Sequence, residues 1–202
     1  MFVLDKESYF FGEKVQPRNS SINMKEYRWD FGDGSSEDKE YDPAPHIYKE
    51  EGSYTITLKA SHKSNMKKSK SESKQVTVTS YNVYKIVVNS IPNITSWDNG
   101  SGPDLKIKIN DTNSELADIF AADYTFDIQD NVDSTDLPVT KSNIFFKFTY
   151  SDWSVRLLDE DLPLPNTEMK AWTVNAYKEG SNEKVKLSGN GFDIDIYYTL
   201  SN

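Results

Sequence analysis

Residues 27–36 read YRWDFGDGSS. Tyr27, Trp29 and Phe31 alternate with polar residues, so a strand here carries three aromatics on one face. The aspartates that follow admit three readings: a calcium loop, a catalytic acid pair, or a tight turn. Asp33-Gly34 favours the turn, because the positive φ values of a primed hairpin turn suit Asp and Gly. The stretch is therefore expected to organise a fold.

Working outward, short runs rich in β-branched and aromatic residues recur along the whole chain. They include SYTITLKA, KQVTVTSY, YKIVVNSI, LKIKI, NIFFKFTY, WSVRLL, MKAWTVNAY, KVKLS and FDIDIYYTL. Gly, Pro, Asn, Asp and Ser clusters bound them, which is the signature of a β sandwich. Only 113–122, NSELADIFAA, offers a short helix or turn. The chain has 202 residues, room for two domains of about 100 each. The predicted fold class is all-β, two β sandwiches in tandem, with domains 1–80 and 81–202. One strand ends and the next begins at Tyr81, so the connection is too short to leave the domains much freedom. KSNMKKSKSESK (63–74) reads as a solvated hairpin tip.

Composition removes several functions. With no cysteine there are no disulfides, thiolate metal sites or thiol nucleophiles, and two histidines do not make a multi-histidine zinc site. The net charge is −9: residues 1–80 are balanced at 13 Lys+Arg against 13 Asp+Glu, and 81–202 hold 10 against 19. Such a surface repels nucleic acid and anionic lipid, and divalent cations neutralise it. No apolar run approaches the roughly 18 residues of a membrane span, so no membrane insertion is expected. FVLDKESYFF carries charges where a leader would be apolar.

The order W-D-F-G-D-G-S at Trp29 to Ser35, then Asp42 to Tyr48, where Pro45-His46-x-Tyr48 stands for the family's P-x-H-x-Y, and G-x-Y with later Leu from Gly52 to Leu58 resembles the PKD domain family. Gly12 and Val15 fit its G-x-x-V. The resemblance covers about residues 2–80. It implies an Ig-like sandwich that serves as an extracellular spacer or binding module. Trp29 would be core, Asp30, Asp33 and Gly34 would organise the turn, and His46 would be a hydrogen-bonded structural residue.

In the second half, Asp98 and Asp104 lie six apart around a glycine-containing loop, and Asp159-Glu160-Asp161 ends a strand. Calcium takes six to eight oxygens from such loops. The pattern resembles a divergent C2 domain, whose fifth acid would fall at Thr167, with Glu168 the nearest carboxylate. The resemblance implies a metal set of Asp98, Asp104, Asp159, Asp161 and Glu168 with calcium as cofactor. Asp136 falls on a neighbouring loop. The plain alternative is that Asp and Asn occupy turns for backbone reasons.

The expected function is a non-catalytic binding or spacer module of a bacterial surface protein, extracellular or periplasmic, monomeric, with a lipid anchor in the precursor. Its partner would be a carbohydrate or a protein. The alternatives are accessory domains of a secreted hydrolase, or an adhesin or fibre subunit pairing through an edge strand such as FDIDIYYTL. An enzyme is not expected, because a D-x-D pair clusters on one side whereas glycosidase carboxylates flank the sugar. Trp97, Trp153 and Trp172 exposed in a row would favour sugar stacking, and their burial a spacer.

Overall fold

The computed structural model describes residues 1–66, 68–97, 102–113, 116, 123–160, 166–179 and 183–201, with 65 and 179 described by backbone alone. The chain forms two compact units, Met1–Ser80 and Tyr81–Ser201, each with its own apolar core.

The first unit contains β1 (Phe2–Val3), β2 (Ser8–Phe10), β3 (Arg18–Asn19), β4 (Glu26–Asp30), β5 (Gly52–Ser61) and β6 (Ser69–Thr79). One sheet has the order β2-β6-β5-β4, and β1 pairs with β3. Strand β2 runs parallel to β6, and β5 is antiparallel to both neighbours. Ile56, Leu58 and Ala60 alternate inward on β5, and Ile56 and Leu58 share a core cluster with Trp29 and Phe31. Trp29 is fully buried, its indole N–H donates to the Glu40 carbonyl at 3.1 Å, and Phe2 packs edge-on against it at 5.1 Å.

The turn after β4 departs from a primed hairpin. Positive φ falls on Gly32 (77°) and Gly34 (80°), and Asp33 does not share it. Strand β4 pairs with distant β5, while Trp29 also bridges Asp38. The turn is held instead by side chains: Asp30 accepts the Gly32 amide at 2.8 Å and Asp33 the Ser35 amide at 3.0 Å. Aspartate serves here as a local acceptor and glycine supplies the left-handed geometry. The lysine-rich stretch is likewise only partly a tip, since Ser69 onward belongs to β6.

The second unit contains β7 (Tyr81–Ser90), β8 (Leu105–Asp111), β9 (Asp123–Gln129), β10 (Val139–Phe148), β11 (Trp153–Asp159), β12 (Thr167–Val174), α1 (Ala176–Glu179), β13 (Lys184–Gly189) and β14 (Phe192–Leu200). Two antiparallel four-stranded sheets, β10-β7-β14-β13 and β12-β11-β8-β9, face each other. Strict alternation on β8 and β11 sends Leu105, Ile107, Ile109, Trp153, Val155 and Leu157 into the core. The Asn190-Gly191 turn joins β13 to β14 with φ of 54° and 87°, as a tight hairpin requires. The short helix expected at 113–122 lies almost wholly outside the described residues.

FDIDIYYTL is not an edge. Strand β14 lies between β7 and β13. Period-2 alternation tells that one face is buried; it is silent on how many neighbours a strand has. Both ladders beside β7 slip at a common place, and the β14 ladder slips again between Asp193 and Ile194. Across from β14 the register steps from Lys85–Tyr197 to Val83–Tyr198, and across from β10 from Lys85–Ser142 to Val83–Phe146. Tyr84 is passed over by both.

One end of this sandwich holds a buried polar network. Asp111 accepts the Thr149 hydroxyl and the Asn113 amide (2.7 Å), and Thr149 and Ser151 share a hydrogen bond of 2.8 Å. The Asn175 amide donates to Asp152 at 3.0 Å.

Candidate functional site

The expected metal residues divide. Asp159 ends β11 opposite Leu105 and Thr167 and is buried. Its Oδ1 accepts the Asp104 amide at 3.0 Å. Asp104 Oδ1 in turn accepts the Asn131 amide at 2.7 Å, and the Val132 amide donates to the Pro103 carbonyl at 3.0 Å. Two loops are thereby stapled to one strand end. Gly102 shows how close they come: a Cβ there would sit 2.1 Å from the Val132 carbonyl oxygen.

Glu168 is not gathered into this group. It pairs with Leu158 across the ladder, one residue out of step with the Asp159–Thr167 pair, and it is exposed. The pleat therefore sends it to the opposite face from Asp159. Glu160 turns to Lys106, which also meets Asp127 at 3.2 Å. Asp136 accepts the Asp133 amide at 2.8 Å, within its own loop. Asp98 and Asp161 lie outside the described residues. Among the described residues no group of three or more acidic, histidine or cysteine side chains is placed to hold a metal.

In the first unit, Asp33 and His46 form a pair. His46 Nε2 donates to Asp33 Oδ2 at 2.7 Å. The imidazole stacks on Phe31 at 4.1 Å and meets Tyr48 edge-on at 4.8 Å, while the His46 backbone bridges Val15. Burial works against the Asp33 charge, but hydrogen bonds from Ser35 and from His46 outweigh it and hold the carboxyl below its ordinary range. The pair borders a surface depression of about 290 Å³ with Tyr54 and Glu50. An imidazole clamped by two rings and a carboxylate is a structural brace between the turn and residues 45–48.

A third cluster had no sequence reading. On the outer face of β10-β7-β14-β13, Asp195 is 5% exposed, although alternation turns it away from the core. Its Oδ2 accepts from Lys184 (2.7 Å) and from Asn89 (3.2 Å), and its Oδ1 has no hydrogen-bond partner among the described residues. Burial opposes its charge, and Lys184, Asn89 and then Lys186 more than compensate, so its carboxyl lies below the usual range. Lys186 meets Asp193 at 2.7 Å, and Lys85 sits 3.9 Å over the Tyr197 ring. The available signal was the alternation D-x-D-x-Y in FDIDIYY, which lines up three polar tips on one face.

The tryptophans form no row. Trp153 is fully buried. Trp97 and Trp172 are partly buried against the core, and the Trp172 indole donates to the Ser188 carbonyl at 3.2 Å.

One solved structure, described as "Structural basis for the promiscuous specificity of the carbohydrate-binding modules from the beta-sandwich super family", is similar at 12% identity, covering 100% of this chain and 97% of that one. Its TM-score is 0.33, a likeness that says nothing about what this chain binds. Residues 11–78 match the family model described as PKD domain, and the match contains the turn glycines, the buried Trp29 and the His46–Asp33 brace.

Proposed function

We propose that the chain is a non-catalytic binding or spacer module of a bacterial secreted or surface protein, making carbohydrate or protein contacts outside the cell. One observation carries this reading: the side chains that could have done chemistry are engaged in holding loops. Asp33 and His46 brace a turn, and Asp104 and Asp159 each hold a backbone amide. The PKD match over 11–78 supports it, since that resemblance implies extracellular spacers and binding modules. A lipid-anchored precursor and a C2-like second sandwich belong to the same proposal. The fibre alternative loses its named strand, because β14 is interior.

Calcium belongs to the proposal at the Asp104–Asp159 strand end, where hard carboxylate oxygens suit its chemistry. Asp98 and Asp161 would complete the set, and Glu168 would not. The test of the main reading is turnover. The intact chain is incubated with soluble glucans, xylan and casein, and new reducing ends and new amino termini are counted. None are expected. Release that disappears in Asp159→Asn would overturn the non-catalytic reading.

A further inference from the structure

We propose that the outer face of β10-β7-β14-β13 around Tyr84 is a binding site for a neutral glycan, an inference that rests on the non-catalytic binding-module reading and names its ligand class. The argument begins with the double slip in register. A bulge places its extra residue and the next on the same side of the sheet as the single residue opposite. Tyr84 and Lys85 thus share the outer face with Tyr197. The contacts agree: the Tyr84 and Tyr197 rings lie 6.4 Å apart, and Lys85 Nζ lies over both, at 5.9 and 3.9 Å.

The slip in β10 acts on the same spot from the other side. Ile144 and Phe146 are buried, so Phe145 between them points outward, 80% exposed. Tyr84 is 38% exposed. Two open rings on neighbouring strands beside a half-covered third are an expensive surface to leave in water, and aromatic faces of this kind take the C–H face of a sugar.

The second observation is independent of the rings. Asp195 lies two residues before Tyr197, on the same face of β14, and its Oδ1 is buried without a partner among the described residues. Such an atom calls for an explanation, and a ligand hydroxyl supplies one when Lys184, which holds Oδ2 at 2.7 Å, swings aside. Charge then selects the ligand. Lys85, Lys184 and Lys186 alternate here with Asp193 and Asp195. An anionic ligand meets two carboxylates and a cationic one meets three ammonium groups. A polyhydroxylated neutral chain, able to donate and accept at each step, satisfies both.

The experiment uses the intact chain with four probes, cellohexaose, xylohexaose, mannohexaose and maltohexaose, each titrated to a few times about 1 mM, the weak end of useful affinity. Backbone amide NMR shifts report binding, and reducing ends are counted in the same tubes. At least one probe is expected to bind, with Tyr84→Ala and Phe145→Ala each weakening it by about tenfold or more. Tyr150→Ala, at an exposed ring beside Tyr177, should leave it unchanged. Asp195→Asn keeps the shape and should weaken binding without lowering the thermal midpoint enough to unfold the chain. Silence from all four probes, or binding that survives the Tyr84→Ala/Phe145→Ala double change, overturns the site and leaves the spacer reading standing. Binding followed by cleavage supports the site and removes the non-catalytic reading.

Discussion

Gly32 and Gly34 look equivalent in the sequence and differ in the fold. Both have φ near 80°, but a Cβ on Gly32 would meet the Thr55 carbonyl oxygen at 2.7 Å, while one on Gly34 would meet nothing within 4 Å. Left-handed backbone costs a non-glycine residue about 1–2 kcal/mol. Gly34→Ala should cost about that much, and Gly32→Ala clearly more, as read by chemical denaturation of the first unit. Asp33 gives a pH test. Its folded carboxyl is held below the unfolded value of about 3.9. Its contribution is therefore present above that value and is lost as pH falls through the lower, folded one. Thermal midpoints from pH 5 down to pH 3 should fall less steeply for Asp33→Asn than for the parent chain. A parallel fall in both would show that the brace adds no pH-dependent stability.

At the scale of strands and loops, the Asp104–Asp159 staple separates two roles that one residue can play. Asp159→Asn keeps an oxygen for the Asp104 amide, whereas Asp159→Ala leaves that half-buried donor unmet, at a cost toward the lower end of about 1–3 kcal/mol. Stability should follow that order without calcium. If calcium binds there, saturating calcium at about 100 times its dissociation constant should add roughly 2.7 kcal/mol. Asp159→Asn should lose that gain, and magnesium at the same ionic strength should not replace it. Equal shifts with both salts would reduce the effect to charge screening. The opening stretch and the nine further runs of β-branched and aromatic residues each overlap an observed strand, because the residues that make a strand amphipathic are local. The two- and three-residue strands β1, β2 and β3 carry no such period. The face that Glu168 takes was illegible, because a bulge in β12 and the pleat decide it and spacing records neither. The slips at Tyr84 were illegible for a related reason: each depends on how β7 meets a partner, β10 or β14, that lies far away in sequence.

For the whole molecule, the two cores share no buried residue. Residues 1–80 and 81–202 made as separate chains should each unfold cooperatively, followed by circular dichroism. A fragment that is unfolded alone would show that its core depends on the other. The acidic excess lies wholly in the second fragment, with 10 basic against 19 acidic side chains, so self-repulsion should weigh on it alone. Its midpoint should rise on going from low to physiological salt, and that of the balanced first fragment should hardly move.

The polar network at Asp111 has a consequence in time. Its members, Asp111, Thr149 and Ser151, come from segments brought together only after β8, β10 and β11 have found their places. Contacts so distant in sequence close late. We expect the network to close on the native side of the folding barrier, where it acts as a latch that slows escape. Thr149→Val, which strips the hydroxyl from the buried Asp111, should speed unfolding while leaving the refolding rate almost untouched.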